Sequence, residues 1–116
     1  EVGSRGLGDV YKRQEYDMLN SNQKEFISSN IFKISNNYNR MAIQLSDPLV
    51  NNLKPIITSI VMPGTVQLTP AGCLIILMKD CQTTGGYPRI LQVEEKSINS
   101  LAQLKKDSEL SFSLKI

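Results

Sequence analysis

The loop Gln82-Thr83-Thr84-Gly85-Gly86-Tyr87-Pro88 follows the most apolar run of the chain, Cys73–Met78. Gln82, Thr83 and Thr84 offer hydrogen-bond donors and acceptors, and the paired glycines let backbone amides approach a ligand closely. Such a loop can hold a carboxylate, a phosphate or an amide. Read on its spacing alone, it is a hairpin turn whose threonines satisfy local backbone groups. It is not a phosphate-binding P-loop, because the Gly-Lys-Ser/Thr ending and the following helix are missing. Arg40 opens an apolar strand and can pin a carboxylate in bidentate fashion, although a solvent-exposed strand end is the commoner fate of such a residue. Thr58, Ser59 and Gln67 fall in a segment that reads as strand, turn, strand, and they could face a site.

Composition narrows the chemistry. The 116 residues contain no histidine, which removes the commonest general base, the Ser-His and Cys-His nucleophile pairs and the usual zinc ligand. Cys73 and Cys81 stand eight positions apart, about 26 Å along one extended strand and far beyond disulfide reach. Free buried thiols, suited to a reducing compartment, are expected. No paired-carboxylate or metal-binding constellation stands out. The 13 basic and 11 acidic residues give a formal charge of +2, too balanced to suggest nucleic acid or an anionic membrane. No run approaches the ~20 apolar residues of a membrane span, and no basic-then-apolar leader opens the chain. The expectation is a soluble, cytoplasmic protein with one domain.

The elements that must position these residues are mostly strands. "NSNQKEFISSN" predicts a short helix capped by Ser21, with Phe26 and Ile27 as its apolar face. Ile31–Ser35 is a strand candidate, "NNYN" a turn, and Arg40–Ser46 a half-buried strand with Met41, Ile43 and Leu45 alternating. Pro63-Gly64 reads as a type II turn between two β-branched runs. "CLIILMK" is apolar on both faces, as in a strand covered on both sides. A strand follows the double glycine, and "SINSLAQLKK" then places Ile98, Leu101 and Leu104 at helical spacing. The final strand puts Leu110, Phe112, Leu114 and Ile116 on one face. Many short strands, tight turns and two short helices point to a mainly-β barrel or sandwich.

Taken in order, "NRMAIQL", "TSIVMPGTVQLTPAG", "LIILMKDCQTTGGYPRI" and "SLAQLKKDSELSF" resemble the C-terminal half of the biotin-dependent carboxyltransferase family, also called allophanate hydrolase subunit two. The likeness covers nearly all of residues 15–116. Ala42 stands where the family usually has glycine, and Cys73 where it generally has a polar residue. The resemblance implies a cyclophilin-like β-barrel, in agreement with the strand-rich pattern. It also implies an enzyme subunit that works with two others, A and B, to open 5-oxoproline to L-glutamate at the expense of ATP. Biotin enters only under an alternative, the carboxyltransferase region of a urea carboxylase-like enzyme. A third reading is a regulatory module that antagonises a kinase inhibitor. By motif, the resemblance carries over Arg40, Gln67, Gln82, Thr83, Thr84, Gly85, Gly86 and Tyr87 as substrate-binding groups, and Pro63 and Gly64 as the structural turn. It assigns no catalytic residue and no metal, and it implies that the chain alone is inactive.

Ser4–Gln14, "SRGLGDVYKRQ", fits none of these motifs. It is similar to the in-frame translation of a transposase adapter used in preparing sequencing libraries, in which codons for Asp-Val-Tyr-Lys-Arg-Gln spell the mosaic end. Residues 1–14 are therefore set apart as adapter-derived, and residues 15–116 are read as the C-terminal portion of a carboxyltransferase-like domain. The DNA encoding the chain is expected to read as adapter through Gln14. A genomic copy that encodes these residues from native sequence overturns that expectation.

Overall fold

The computed structural model describes residues 5–54, 56–82 and 84–114. Its elements are β1 (Arg5–Lys12), a 3-10 turn (Tyr16–Met18), α1 (Ser21–Ser29), β2 (Phe32–Tyr38), β3 (Ala42–Leu45), β4 (Ser59–Ile60), β5 (Thr65–Leu68), β6 (Leu74–Leu77), β7 (Thr84–Gly85), β8 (Arg89–Val93), α2 (Glu95–Leu101) and β9 (Glu109–Leu114). Period-2 alternation explains the strands. Phe32 and Ile34, Ile43 and Leu45, Val66 and Leu68, Leu74 and Ile76, and Leu110 and Phe112 all join one core. Each such burial stabilises by roughly 1.5–3 kcal/mol. Seven strands close a barrel in the order β1-β8-β5-β6-β3-β2-β9, while β4 and β7 form a separate two-stranded ribbon. Neighbours in the barrel are antiparallel except β1 and β9, which run parallel. Phe32 ties α1 to the core through an edge-on contact with Phe26, ring centroids 5.6 Å apart.

Several local expectations shift. The cap of α1 is Asn20, one residue before Ser21: its side chain accepts from the Gln23 N–H while the Gln23 side chain accepts from the Asn20 N–H. Only Asn20 has a glutamine three residues on, which this reciprocal arrangement requires. Strand β2 runs on through Asn36–Tyr38, read from sequence as a turn, because a register shift between Ile34 and Tyr38 absorbs the polar stretch. The reversal falls at Asn39, whose Oδ1 accepts from the N–H groups of Met41 and Ala42 at 2.7 and 3.1 Å. Leu104 lies beyond α2 but still packs partly against the core. Ile116 lies outside the described residues.

The segment before Glu15 is built into the barrel. β1 pairs antiparallel with β8 and parallel with β9, and Val10 is fully buried. Ladder pairing uses backbone groups common to all residues except proline, so this role is independent of where the codons came from.

The loop after β6 is also not the simple hairpin its spacing suggests. β5 lies between β6 and β8, so the loop passes from one side of β5 to the other. On the way, Thr84 and Gly85 pair with Ile60 and Ser59. The Pro63-Gly64 turn is as expected: Thr65 N–H donates to the Met62 carbonyl at 3.0 Å, and Gly64 has φ +94°. A Cβ there would lie 2.6 Å from Gln92 Nε2 and 2.8 Å from the Val93 carbonyl oxygen. Gly64→Ala is expected to cost about 3 kcal/mol or more, read as a lower urea midpoint at unchanged slope. A loss below about 1 kcal/mol would show that the turn relaxes freely.

Candidate functional site

Strand β5 is buried at all four positions. Val66 and Leu68 point into the core, so Thr65 and Gln67 point out of the barrel, yet they are only 0% and 2% exposed. The ribbon covers Gln67. A Cβ on Gly85 would lie 2.6 Å from Gln67 Nε2 and 3.5 Å from Val61, so a side chain at position 85 would crowd the end of the Gln67 amide. Gln67 Nε2 is buried and has no hydrogen-bond partner among the described residues. An unsatisfied buried amide costs ~1–3 kcal/mol, and folded proteins rarely leave one.

Gln67, Thr84 and Gly85, all singled out in the sequence, therefore meet at the ribbon. Gly86 adjoins them, its carbonyl accepting from the Ile56 N–H at 2.7 Å. Gln82 and Thr84 are exposed, as is Tyr87. Thr83 lies outside the described residues.

A second polar layer beside the same strand escaped the sequence reading. Arg89, opposite Gln67 in the β5–β8 register, grips Glu15 with two prongs, Nε to Oε1 at 2.9 Å and Nη2 to Oε2 at 3.2 Å. The two side chains are only 11% and 12% exposed. Glu15 Oε1 also accepts from the Arg89 backbone N–H at 2.8 Å. Arg89 Nη1 reaches the Ile60 carbonyl at 3.2 Å and so tethers the ribbon. Nearby, Arg13 Nη1 donates to Gln92 Oε1 at 2.8 Å and to Thr65 Oγ1 at 3.3 Å. Gln92 Nε2 donates to the Pro63 carbonyl at 2.9 Å.

Among the described residues only Arg89 pairs with Glu15, and Arg13 acts on that carboxylate through its charge alone. Two guanidiniums thus stand against one carboxylate, and the layer is left positive and suited to an anion. Burial works to raise the Glu15 carboxyl. The Arg89 side chain and N–H, with the charges of Arg89 and Arg13, outweigh it and hold the group below its ordinary value. Burial lowers Arg13, the Arg89 charge lowers it further, and Glu15 opposes both. The missed signal lay partly in plain view: Arg89 sits inside the quoted "GGYPRI", but its partner is 74 residues away.

The structure separates Arg40 from this layer. It lies on the β2–β3 turn with its side chain 89% exposed and its Nε 3.0 Å from Asp80 Oδ2, an exposed pair of small energetic weight. The pair stands at the rim of a groove of about 520 Å³ whose lining includes Ile43, Met78, Ile98 and Leu104. Both cysteines are free, and burial pushes the Cys81 thiol up. Among the described residues, no three His, Cys, Asp or Glu side chains gather into a metal site. No helix there is long and apolar enough to cross a membrane.

A closed, mainly-β barrel with a polar layer outside one fully covered strand defines the class, and it is consistent with the cyclophilin-like kind. The chain belongs to the family of the carboxyltransferase domain, subdomain A and B, which it matches over residues 3–114. It is 31% identical over 100 residues to the C component of the 5-oxoprolinase of Haemophilus influenzae, a match covering 84% of this chain and 32% of that protein. It is 34% identical over 83 residues to the corresponding C component of the 5-oxoprolinase of Escherichia coli, covering 70% of this chain and 27% of that one. The chain therefore spans about a third of the length of these relatives. Urea carboxylase of Kluyveromyces lactis shares the fold, with a TM-score of 0.89 at 15% identity over 100% of this chain and 11% of the larger one.

The ion pair gives the site a pH dependence of fixed sign. A carboxyl held below its ordinary 4.5 stabilises fully above that value, and the contribution is lost as pH falls through the lowered folded value. Glu15→Gln is expected to cost ~2 kcal/mol at neutral pH and to flatten the acid limb of stability. Urea denaturation between about pH 7 and pH 3 checks both. An acid limb that the substitution leaves unchanged would assign the pH dependence to another group.

Proposed function

We propose that this chain is part of the C component of an ATP-dependent 5-oxoprolinase, working with subunits A and B to open 5-oxoproline to L-glutamate. The observation that carries the reading is the identity of 31% and 34% to two proteins of that name. An unactivated lactam carbonyl is a poor electrophile, and ATP supplies the driving force by activating it. The described loops lack the Gly-Lys-Ser/Thr of a P-loop, so they offer no phosphate cradle of that kind, and the nucleotide is assigned to the complex as a whole.

The chain's own contribution is donors. Gln82, Thr84 and the backbone of Gly85-Gly86 are proposed to hold the substrate's carboxylate or its developing oxyanion, with Gln67 beneath them and Tyr87 beside them. Arg40, standing apart with Asp80, is proposed to meet substrate only where another part of the assembly brings the two sites together. A complex that depends on ATP suits a cytoplasmic location. The second reading, a biotin-dependent carboxyltransferase region, is supported by the fold shared with urea carboxylase. The regulatory-module reading requires neither substrate nor ATP.

The test is glutamate formation from 5-oxoproline and ATP by a complete C component assembled with subunits A and B. Gln82→Ala and Thr84→Ala are expected to lower turnover about tenfold each, the worth of one lost hydrogen bond, with melting temperature nearly unchanged. An assembled complex that forms no glutamate, while the variants still bind their partners, favours the regulatory module. Carboxylation of urea by the chain with a biotin carrier that a biotin carboxylase has charged from bicarbonate and ATP favours the second reading.

A further inference from the structure

The Gln67 amide projects from a strand whose inner residues already fill the core, it is 2% exposed, and its nitrogen donates to no group among the described residues. What covers it is the bare backbone of Gly85, since a Cβ there would lie 2.6 Å from Nε2. The cover is thin. β4 and β7 have two residues each and pair with each other, not with the barrel. Ile57, Ile60 and Met62 of this segment turn outward, at 90%, 72% and 49% exposure, so their burial does not hold the ribbon down. Val61 is buried, and the 3.2 Å bond from Arg89 Nη1 to the Ile60 carbonyl is a tether. When the ribbon lifts, that bond breaks, and both the Arg89 Nη1 and Gln67 Nε2 donors face the opened space.

We propose that the β4–β7 ribbon is a lid over a binding subsite in which Gln67, assisted by Arg89, donates to a carbonyl-type oxygen of a small ligand. Such an oxygen is supplied by a lactam or by a carboxylate. The subsite deepens the proposed function by giving Gln67 a role, but it does not depend on 5-oxoproline being the substrate. The bare backbone of Gly85 leaves the room that the end of the Gln67 amide occupies in the closed form. An apolar residue at 67 fits the closed form better than glutamine does, so the amide is kept at a cost to stability.

The experiment uses the 116-residue chain, labelled with ¹⁵N and titrated with 5-oxoproline, with 2-pyrrolidinone (lactam, no carboxylate) and with proline (carboxylate, no lactam). The expected result is a concentration-dependent shift of the Gln67 side-chain NH₂ signals with 5-oxoproline and with at least one of the other two, which identifies the oxygen that is read. The Ser59, Ile60 and Gly85 amides are expected to exchange with solvent about a hundredfold or more faster than those of β5 and β8. Gln67→Met is expected to raise the melting temperature by about 4 °C and to abolish the ligand-induced shifts of the ribbon.

Gln67 signals that ignore all three compounds overturn the proposal. So do ribbon amides protected as strongly as β5, or a folded Gln67→Met chain that keeps the shifts. The exchange and titration arms use the unaltered chain, so a variant that melts lower or does not fold overturns only the stability argument. Binding at Gln67 without turnover in the three-subunit complex removes the 5-oxoprolinase reading and leaves the subsite. Turnover without any response at Gln67 does the reverse.

Discussion

Strand β5 has no face left for water, and the rest of the molecule is arranged around that constraint. Its inner residues, Val66 and Leu68, are fully buried in the core, which any half-buried strand would achieve. Its outer residues are polar and must also be covered, so two further segments are drawn over them. The stretch around Arg13 and Glu15 covers the Thr65 end and satisfies it, through a chain of bonds from Arg13 to Gln92 and Thr65. The ribbon covers the Gln67 end and does not satisfy it. The same strand thus carries a finished polar contact at one end and an unfinished one at the other.

How much of this was legible depends on how far each interaction reaches. The alternation of Ile43 with Leu45 and of Leu110 with Phe112 records which face a residue takes, and the barrel class follows from it. The Pro63-Gly64 turn was readable because its determinants, a fixed φ followed by a free one, are adjacent. Partner choice is another matter, since nothing local in Thr84-Gly85 says that it pairs with Ser59-Ile60 instead of turning back on itself. Arg89 stood inside a quoted motif, but its pairing with Glu15 gave no sign for the same reason, with the added obstacle that Arg13 lay in a segment set aside as foreign. The capping error at Ser21 was smaller and avoidable, because Asn20 and Gln23 already display the reciprocal spacing.

Motif resemblance and geometry also answer different questions. The motifs group Arg40 with Gln67 and the glycine loop as one set. In space they form two sites, an exposed ion pair beside a groove and a buried amide beneath a ribbon. The short segment from Asp80 to Thr84 joins them, since Asp80 holds Arg40 at one end and Thr84 opens the ribbon strand at the other. A feature carried by sequence order can therefore be continuous along the chain without being one pocket.

The parallel pairing of β1 with β9 sets Arg5–Val10 beside Glu109–Leu114, the first strand of the described chain against the last. Contacts between segments so far apart are entropically late to form. On the ribosome, the barrel cannot close until β9 has emerged. Until then the β1 and β2 edges that β9 joins stay unpaired, and the apolar interior behind them stays open to water. A nascent chain of this topology passes through an open sheet with two sticky margins, and that stage lasts until β9 closes it.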